Sequence, residues 1–131
     1  MSRRGFALVM ALALLAGCSS RPMLGISRTI GTASNKDLAG GIRAYENGDY
    51  EESERLLKRS VDEGLTFQRD EITARKYLAF TYCVTNEERK CREQFRKVLE
   101  LDPRFELDKS EAGHPVWGPV FRSTRSSLNK K

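Results

Sequence analysis

Residues 41–60 read GIRAYENGDYEESERLLKRS, and residues 79–98 read AFTYCVTNEERKCREQFRKV. At this offset of 38 residues, small and bulky side chains recur at equivalent places. The equivalent pairs are Gly41 and Ala79, Gly48 and Asn86, Ser53 and Cys91, Leu57 and Phe95, and Ser60 and Val98. Small residues let two helices approach each other, and a bulky neighbour fills the space that remains. The repeat therefore predicts an all-α fold with two stacked αα-hairpins.

Apolar residues on either side of the turns recur at spacings of three and four, which is typical of helices with one buried face. A first helix is predicted to start with N-caps at residues 35–37 and to break at Asn47-Gly48. Further helices are predicted over residues 50–63, 70–84 and 87–101, and a capping helix over residues 118–129. Asp102-Pro103 ends the repeats, because proline cannot continue a helical hydrogen-bond ladder.

The N-terminus has the composition of an export signal. Ser2-Arg3-Arg4 is basic, and residues 6–16 form an apolar run of eleven, shorter than the roughly twenty residues that cross a bilayer. Leu15-Ala16-Gly17-Cys18 resembles the lipobox of bacterial lipoproteins. The resemblance implies cleavage before Cys18, acylation of its thiol and, because Ser19 stands where Asp would retain the protein in the inner membrane, sorting to the outer membrane with the body in the periplasm. The alternative is an ordinary cleaved signal that leaves Cys18 unmodified.

Composition divides the 131 residues into four parts. Residues 1–17 are the predicted signal peptide. Residues 18–34 are rich in Gly, Ser and Thr without a helical period, and are predicted to form a flexible lipidated tether. Residues 35–103 form the predicted repeat domain, and residues 104–131 a turn followed by the C-terminal capping helix.

The repeats also resemble a known family. Residues 48–54, GDYEESE, look like the turn and second helix of a tetratricopeptide repeat, and residues 79–103 resemble a second copy. Together with the tail GHPVWGPVFRS at residues 113–123, they resemble small periplasmic tetratricopeptide lipoproteins associated with type VI secretion, the TssQ-like family. The resemblance implies an adaptor that binds another envelope protein, a component of the secretion system. The alternative is a general envelope-assembly lipoprotein, associated with outer-membrane proteins or peptidoglycan.

In tetratricopeptide folds the first helix of each pair lines the concave side. Transferred to this chain, the resemblance implies partner-binding candidates on that side, which are Leu38, Ile42, Tyr45, Lys76, Phe80 and Val84. A competing possibility is that the tether or the C-terminal segment already fills this groove. Trp117 has two interpretations, a core plug that seals the end of the stack or a partner-binding anchor.

Two cysteines remain once Cys18 is acylated, and the compartment is oxidising. Cys83 and Cys91 flank the turn of the second predicted hairpin and are disulfide candidates. The alternative is that both are reduced and packed as small apolar residues. His114 is the one histidine of the chain, so we expect no metal site and no cofactor other than the covalent lipid on Cys18.

Charged residues are numerous, with 23 Lys and Arg against 18 Asp and Glu and a net charge of +5. Many fall in helical pairs with the acid four residues before the base, which stabilise exposed helix faces by a few tenths of a kcal/mol each. These pairs are Glu51 with Arg55, Glu54 with Lys58, Glu71 with Arg75, Glu88 with Arg92, and Glu93 with Lys97. Because the acids are explained in this way, we expect no enzyme; a cell-wall hydrolase would need a carboxylate pair in a cleft. The predicted compartment excludes nucleic acid.

Overall fold

The computed structural model describes residues 24–130, with side chains from residue 33 onwards. The predicted signal peptide, Cys18 and the first part of the predicted tether lie outside the described residues. Between residues 24 and 130 every regular element is a helix, so the all-α prediction is confirmed for this part of the chain. The helices are α1 (Leu24–Glu46), α2 (Tyr50–Glu63), α3 (Gln68–Val84), α4 (Glu88–Leu101), α5 (Lys109–Ala112) and α6 (Trp117–Leu128).

Helix α1 begins eleven residues before its predicted start. Residues 24–34, predicted as tether, are helical in the structure. Extending an established helix costs little, and no proline occurs between Leu24 and Glu46 to stop it. Ser34 is fully buried, so the packed part of the helix already includes residues that their composition assigned to the tether.

The sequence predicted that a helix starts with a cap at residues 35–37. In the structure Asp37 lies inside α1 and forms an ion pair with Arg59 of α2. The Arg59 guanidinium donates two hydrogen bonds of 2.5 Å to the largely buried Asp37 carboxylate. This hydrogen bonding holds the pKa of the Asp37 carboxyl below its ordinary value. Because the folded-state pKa is lowered, the stabilisation is present above the ordinary pKa of Asp and is lost as the pH falls below it.

The two hairpins turn in the same way, 38 residues apart. The Asp49 N–H donates to the Ala44 carbonyl at 2.9 Å, and the Glu87 N–H donates to the Tyr82 carbonyl at 2.8 Å. Gly48, which precedes Asp49, has a φ of 78°, and Asn86, which precedes Glu87, has a φ of 65°. These are the left-handed residue and the six-to-one hydrogen bond of a Schellman motif, which Gly and Asn adopt most easily.

Packing repeats with the same offset. Gly41 lies against α2 so closely that a Cβ there would come within 2.6 Å of Leu57 Cγ. The other equivalent positions within the hairpins are fully buried, namely Ala79, Ser53 and Cys91, Leu57 and Phe95, and Ser60 and Val98. Helices α1 and α2 form one packed hairpin, α3 and α4 form the other, and α2 packs on α3 to join them. The pattern of small and bulky residues thus predicted the positions that are buried between helices.

Within the hairpins, consecutive helices run in opposite directions. The C-terminal helix does not continue this alternation of direction. Helix α6 begins with Trp117, whose ring stacks on Phe80 of α3 at 4.4 Å between centroids. It ends with Leu128, which lines one small cavity together with Leu99 and Pro103 at the C-terminal end of α4. Helix α6 therefore runs in the same direction as α4. Residues 102–116, including the unpredicted short helix α5, lead the chain back along the bundle before α6 starts.

Gly118 is required where this returning segment meets α6. A Cβ at Gly118 would lie 2.6 Å from the Ala112 carbonyl oxygen, which belongs to the backbone and cannot rotate away. We expect Gly118→Ala to lower the free energy of unfolding by about 1–3 kcal/mol, as overpacking does. Gly113→Ala is the matched control, because a Cβ there would meet only the Lys109 carbonyl oxygen at 3.8 Å. Urea denaturation measures both, and equal midpoints for the two variants would contradict this packing.

Candidate functional site

Three of the predicted partner-binding residues meet in one aromatic cluster. The Tyr45 ring of α1 lies 6.1 Å from the Phe80 ring and 6.3 Å from the Trp117 ring, measured between centroids. The Trp117 indole N–H donates to the Glu111 carbonyl at 3.0 Å. Phe80 and Trp117 are only 2% and 7% exposed. They pack against each other in the core, as the plug interpretation of Trp117 predicts, and their role in partner binding stays a prediction.

Lys76 contacts the chain's own C-terminal segment. Its ammonium lies 2.6 Å from a Glu111 carboxylate oxygen, and the two side chains are 15% and 18% exposed. The same ammonium lies 5.1 Å from the centroid of the Tyr77 ring and 5.6 Å from that of Phe80. The ion pair therefore fastens α5 to α3 beside the aromatic cluster.

The remaining candidates on the predicted concave side are half-buried. Leu38, Ile42 and Val84 pack against the edge of the hydrophobic core. The contacts of Glu111 with Lys76 and of Trp117 with Phe80 place part of the C-terminal segment against α3. On α1 the ring of Tyr45 lies near Trp117, and the two alternatives for this groove, free or filled, stay predictions.

His114 completes this segment with a hydrogen bond inside the turn and with a ring stack that the sequence did not indicate. Its ring stacks on Trp117 with 3.3 Å between centroids and 2° between planes. Its Nδ1 accepts a hydrogen bond from the Val116 N–H at 3.2 Å, so the neutral ring carries its proton on Nε2. Glu111 was also missed, because its partner Lys76 lies 35 residues away in the sequence.

Cys83 and Cys91 are joined in the structure. Their sulfur atoms are 2.00 Å apart and their Cα atoms 5.2 Å apart. Both residues are buried, and the bridge links the end of α3 to the start of α4.

Reduction of this bridge is expected to lower the free energy of unfolding by about 2–3 kcal/mol, because the bridge closes a short loop that limits the unfolded chain. Urea denaturation with and without a phosphine reductant measures the change. The double variant Cys83→Ala, Cys91→Ala is the control, since reductant should leave its midpoint unchanged. A urea midpoint of the wild-type protein that reductant also leaves unchanged would contradict the bridge.

A second concave feature lies on the opposite side of the hairpins, between α2 and α4. It is a groove of about 330 Å³ whose floor is formed by Leu78 and Tyr82 of α3, both buried. The Tyr82 hydroxyl donates to a Glu54 carboxylate oxygen at 3.0 Å. Burial, followed by this hydrogen bond, raises the pKa of Tyr82 above its ordinary value. The sequence analysis did not identify this groove.

Most of the charged side chains that line this groove belong to ion pairs between residues three or four apart. Along the helices, the observed ion pairs differ from the predicted ones at two places. Three predicted pairs are present, and their closest nitrogen–oxygen distances are 2.7 Å for Glu71 with Arg75, 2.7 Å for Glu88 with Arg92 and 3.3 Å for Glu93 with Lys97. Arg55 pairs with Glu52 rather than Glu51. Glu54 accepts from Tyr82, and no ion pair joins it to Lys58 in the described structure.

Neither metal ligation nor a membrane span is apparent in the part of the chain that the structure describes. No three His, Cys, Asp or Glu residues among 24–130 come together in a group that could hold a metal ion. None of the described helices is long and apolar enough to cross a membrane.

Comparison with known proteins returned no match: no family model, no curated protein and no solved structure is similar to the chain. The features that bear on function are therefore the predicted N-terminal signal, the contacts of the C-terminal segment with α3, and the groove between α2 and α4.

Proposed function

We propose that this protein is a lipid-anchored helical adaptor that sits at the outer membrane, faces the periplasm and binds another envelope protein. The observation that carries the proposal is the order of a basic start, an apolar run and Leu15-Ala16-Gly17-Cys18 at the N-terminus. Charge, apolar length and cleavage box each have a physical role in export and acylation, and all three occur in the required order.

The start of α1 supports this anchoring. Cys18 and Leu24 are six residues apart, so the lipid and the helix are separated by no more than about 22 Å of extended chain. A body held this close to a membrane meets any partner in the same membrane at a raised effective concentration. The adaptor acts by position: the acyl chains fix the body to a surface, and packed helices present the same face at all times.

The packing supports a rigid body. A disulfide joins α3 to α4, Arg59 and Asp37 join α1 to α2, and Trp117 closes the end over Phe80. Binding by a preorganised surface avoids the cost of ordering mobile segments. The carboxylates described above pair with bases or hydroxyls along helix surfaces, which favours an adaptor over a cell-wall enzyme.

For the partner, we propose a component of a type VI secretion complex, on the resemblance of the repeats and of the tail GHPVWGPVFRS. The alternative is an outer-membrane or peptidoglycan-associated assembly factor.

Photocrosslinking in cells tests the adaptor and separates these partners. A photoreactive amino acid is placed at one of three exposed positions, Arg43 on α1, Lys58 on α2 or Val116 before α6, and the products are identified by mass spectrometry. We expect one envelope protein to crosslink from one face and not from the others, and its identity decides between secretion and general assembly. The absence of protein crosslinks from all three positions would overturn the adaptor.

A further inference from the structure

The groove between α2 and α4 is lined by both helices. Lys58, Val61 and Asp62 form the α2 wall, and Lys90, Glu93 and Lys97 stand on the α4 wall. Residues 90 and 97 are seven apart, which is about 10 Å along a helix. An extended peptide of roughly three or four residues covers this distance.

The walls carry three ammonium groups, of which two are held in exposed ion pairs. No described ion pair involves Lys58. Lys90 pairs with Glu87, and Lys97 pairs with Glu93, but these four side chains are between 37% and 48% exposed. Exposed pairs of this kind contribute about 0–1 kcal/mol, so a partner's carboxylate can replace the internal one at little cost. Arg75, the fourth base of the lining, is held by Glu71 and Gln94.

The floor and the two acids of the lining define the ligand further. Leu78 and Tyr82 of the floor and Val61 of the α2 wall are the apolar side chains of the lining. Asp62 and Glu93 stand among the bases, which disfavours a uniformly anionic surface such as a membrane. A peptide can place carboxylates against the lysines and apolar side chains on the floor, because alternate side chains of an extended chain point to opposite sides.

We propose that this groove binds an acidic, extended peptide segment of the partner, in which acidic and apolar residues alternate. The proposal rests on the adaptor function above and adds the chemistry of the segment that the adaptor holds.

The test uses a fluorescein-labelled peptide, Glu-Leu-Glu-Leu-Glu amide, and the full chain purified in detergent from the cells that make it. Fluorescence anisotropy at low salt gives the dissociation constant. We expect the double variant Lys58→Glu, Lys97→Glu to weaken binding by about tenfold or more, because both walls then repel the peptide. The control is Lys36→Glu, Arg43→Glu on α1, which makes the same change in net charge at exposed positions and should bind like the wild type. Melting curves check that both variants remain folded.

Three results would overturn the groove as a peptide site. One is wild-type protein that does not bind the peptide. Another is equal weakening in the groove variant and the α1 control, which indicates only long-range charge. The third is groove-dependent binding of phosphatidylglycerol vesicles with no binding of the peptide. Crosslinks to an envelope protein that persist in the groove variant would leave the adaptor standing and remove only the groove, so the two proposals fail separately.

Discussion

Replacing Cys18 with alanine is expected to move the protein completely from the membrane fraction to the soluble fraction. Without the thiol no thioether to diacylglycerol can form. A single acyl chain binds membranes only marginally, whereas two or three give stable anchoring. We therefore expect little membrane affinity to remain. Washed membranes and supernatant, compared by immunoblot, measure the change.

Two matched variants control this experiment. Cys83→Ala removes a different cysteine and should leave the protein in the membrane fraction. Ser19→Asp should keep the lipid but move the protein to the inner membrane, which density-gradient separation of the two membranes detects. A Cys18→Ala protein that fractionates like the wild type would reject the lipid anchor.

Replacing Trp117 with alanine is expected to lower the free energy of unfolding by about 3–5 kcal/mol, the cost of deleting a large buried side chain. The indole stacks on Phe80 at 4.4 Å and on His114 at 3.3 Å between centroids, and its N–H bonds to the Glu111 carbonyl. The variant loses these contacts together and leaves a cavity at the end of the bundle. Urea denaturation followed by circular dichroism measures the effect, because the variant no longer has a tryptophan to report by fluorescence.

Val116→Ala is the control for this prediction. Val116 is the preceding residue and is 43% exposed, so its truncation should change stability by no more than about 0.5 kcal/mol. A small effect for Trp117→Ala, combined with loss of crosslinking to the partner, would instead make Trp117 an interface anchor.

The hairpins could be predicted from the sequence because their signals are local and repeated. Helix α2 occupies the predicted residues 50–63. Asp49 caps its start and Gly64 ends it, and both residues are next to the helix in the sequence. Gly48 and Asn86 adopt the same left-handed turn, and both residue types favour it. At such positions local propensity and tertiary packing agree.

The C-terminal segment could not be predicted in the same way. Its position depends on Lys76 with Glu111, 35 residues apart, and on Trp117 with Phe80. Neither pair has a periodic or local pattern. Helix α5 has four residues, too few for a hydrophobic period. The early start of α1 was missed for a related reason, because Gly, Ser and Thr argue against a helix unless packing, here of Ser34 and Asp37, overrides their propensity.

The groove between α2 and α4 was missed because its lysines also fit exposed helix faces. Lys90 and Lys97 belong to such faces by spacing, and only the folded structure places them opposite Lys58 across a buried floor.

The lipid anchor is the feature on which the proposed adaptor most depends, and mass spectrometry of the N-terminal peptide tests it directly. Protein is extracted from washed membranes and digested with trypsin, and the N-terminal peptide that ends at Arg28 is isolated, because trypsin does not cleave between Arg21 and Pro22. We predict that this peptide starts at Cys18 and carries a diacylglyceryl group on sulfur and an acyl group on nitrogen. A peptide that still carries residues 5–17, or one that starts at or after Cys18 without lipid, would contradict the proposed anchor and the adaptor function built on it.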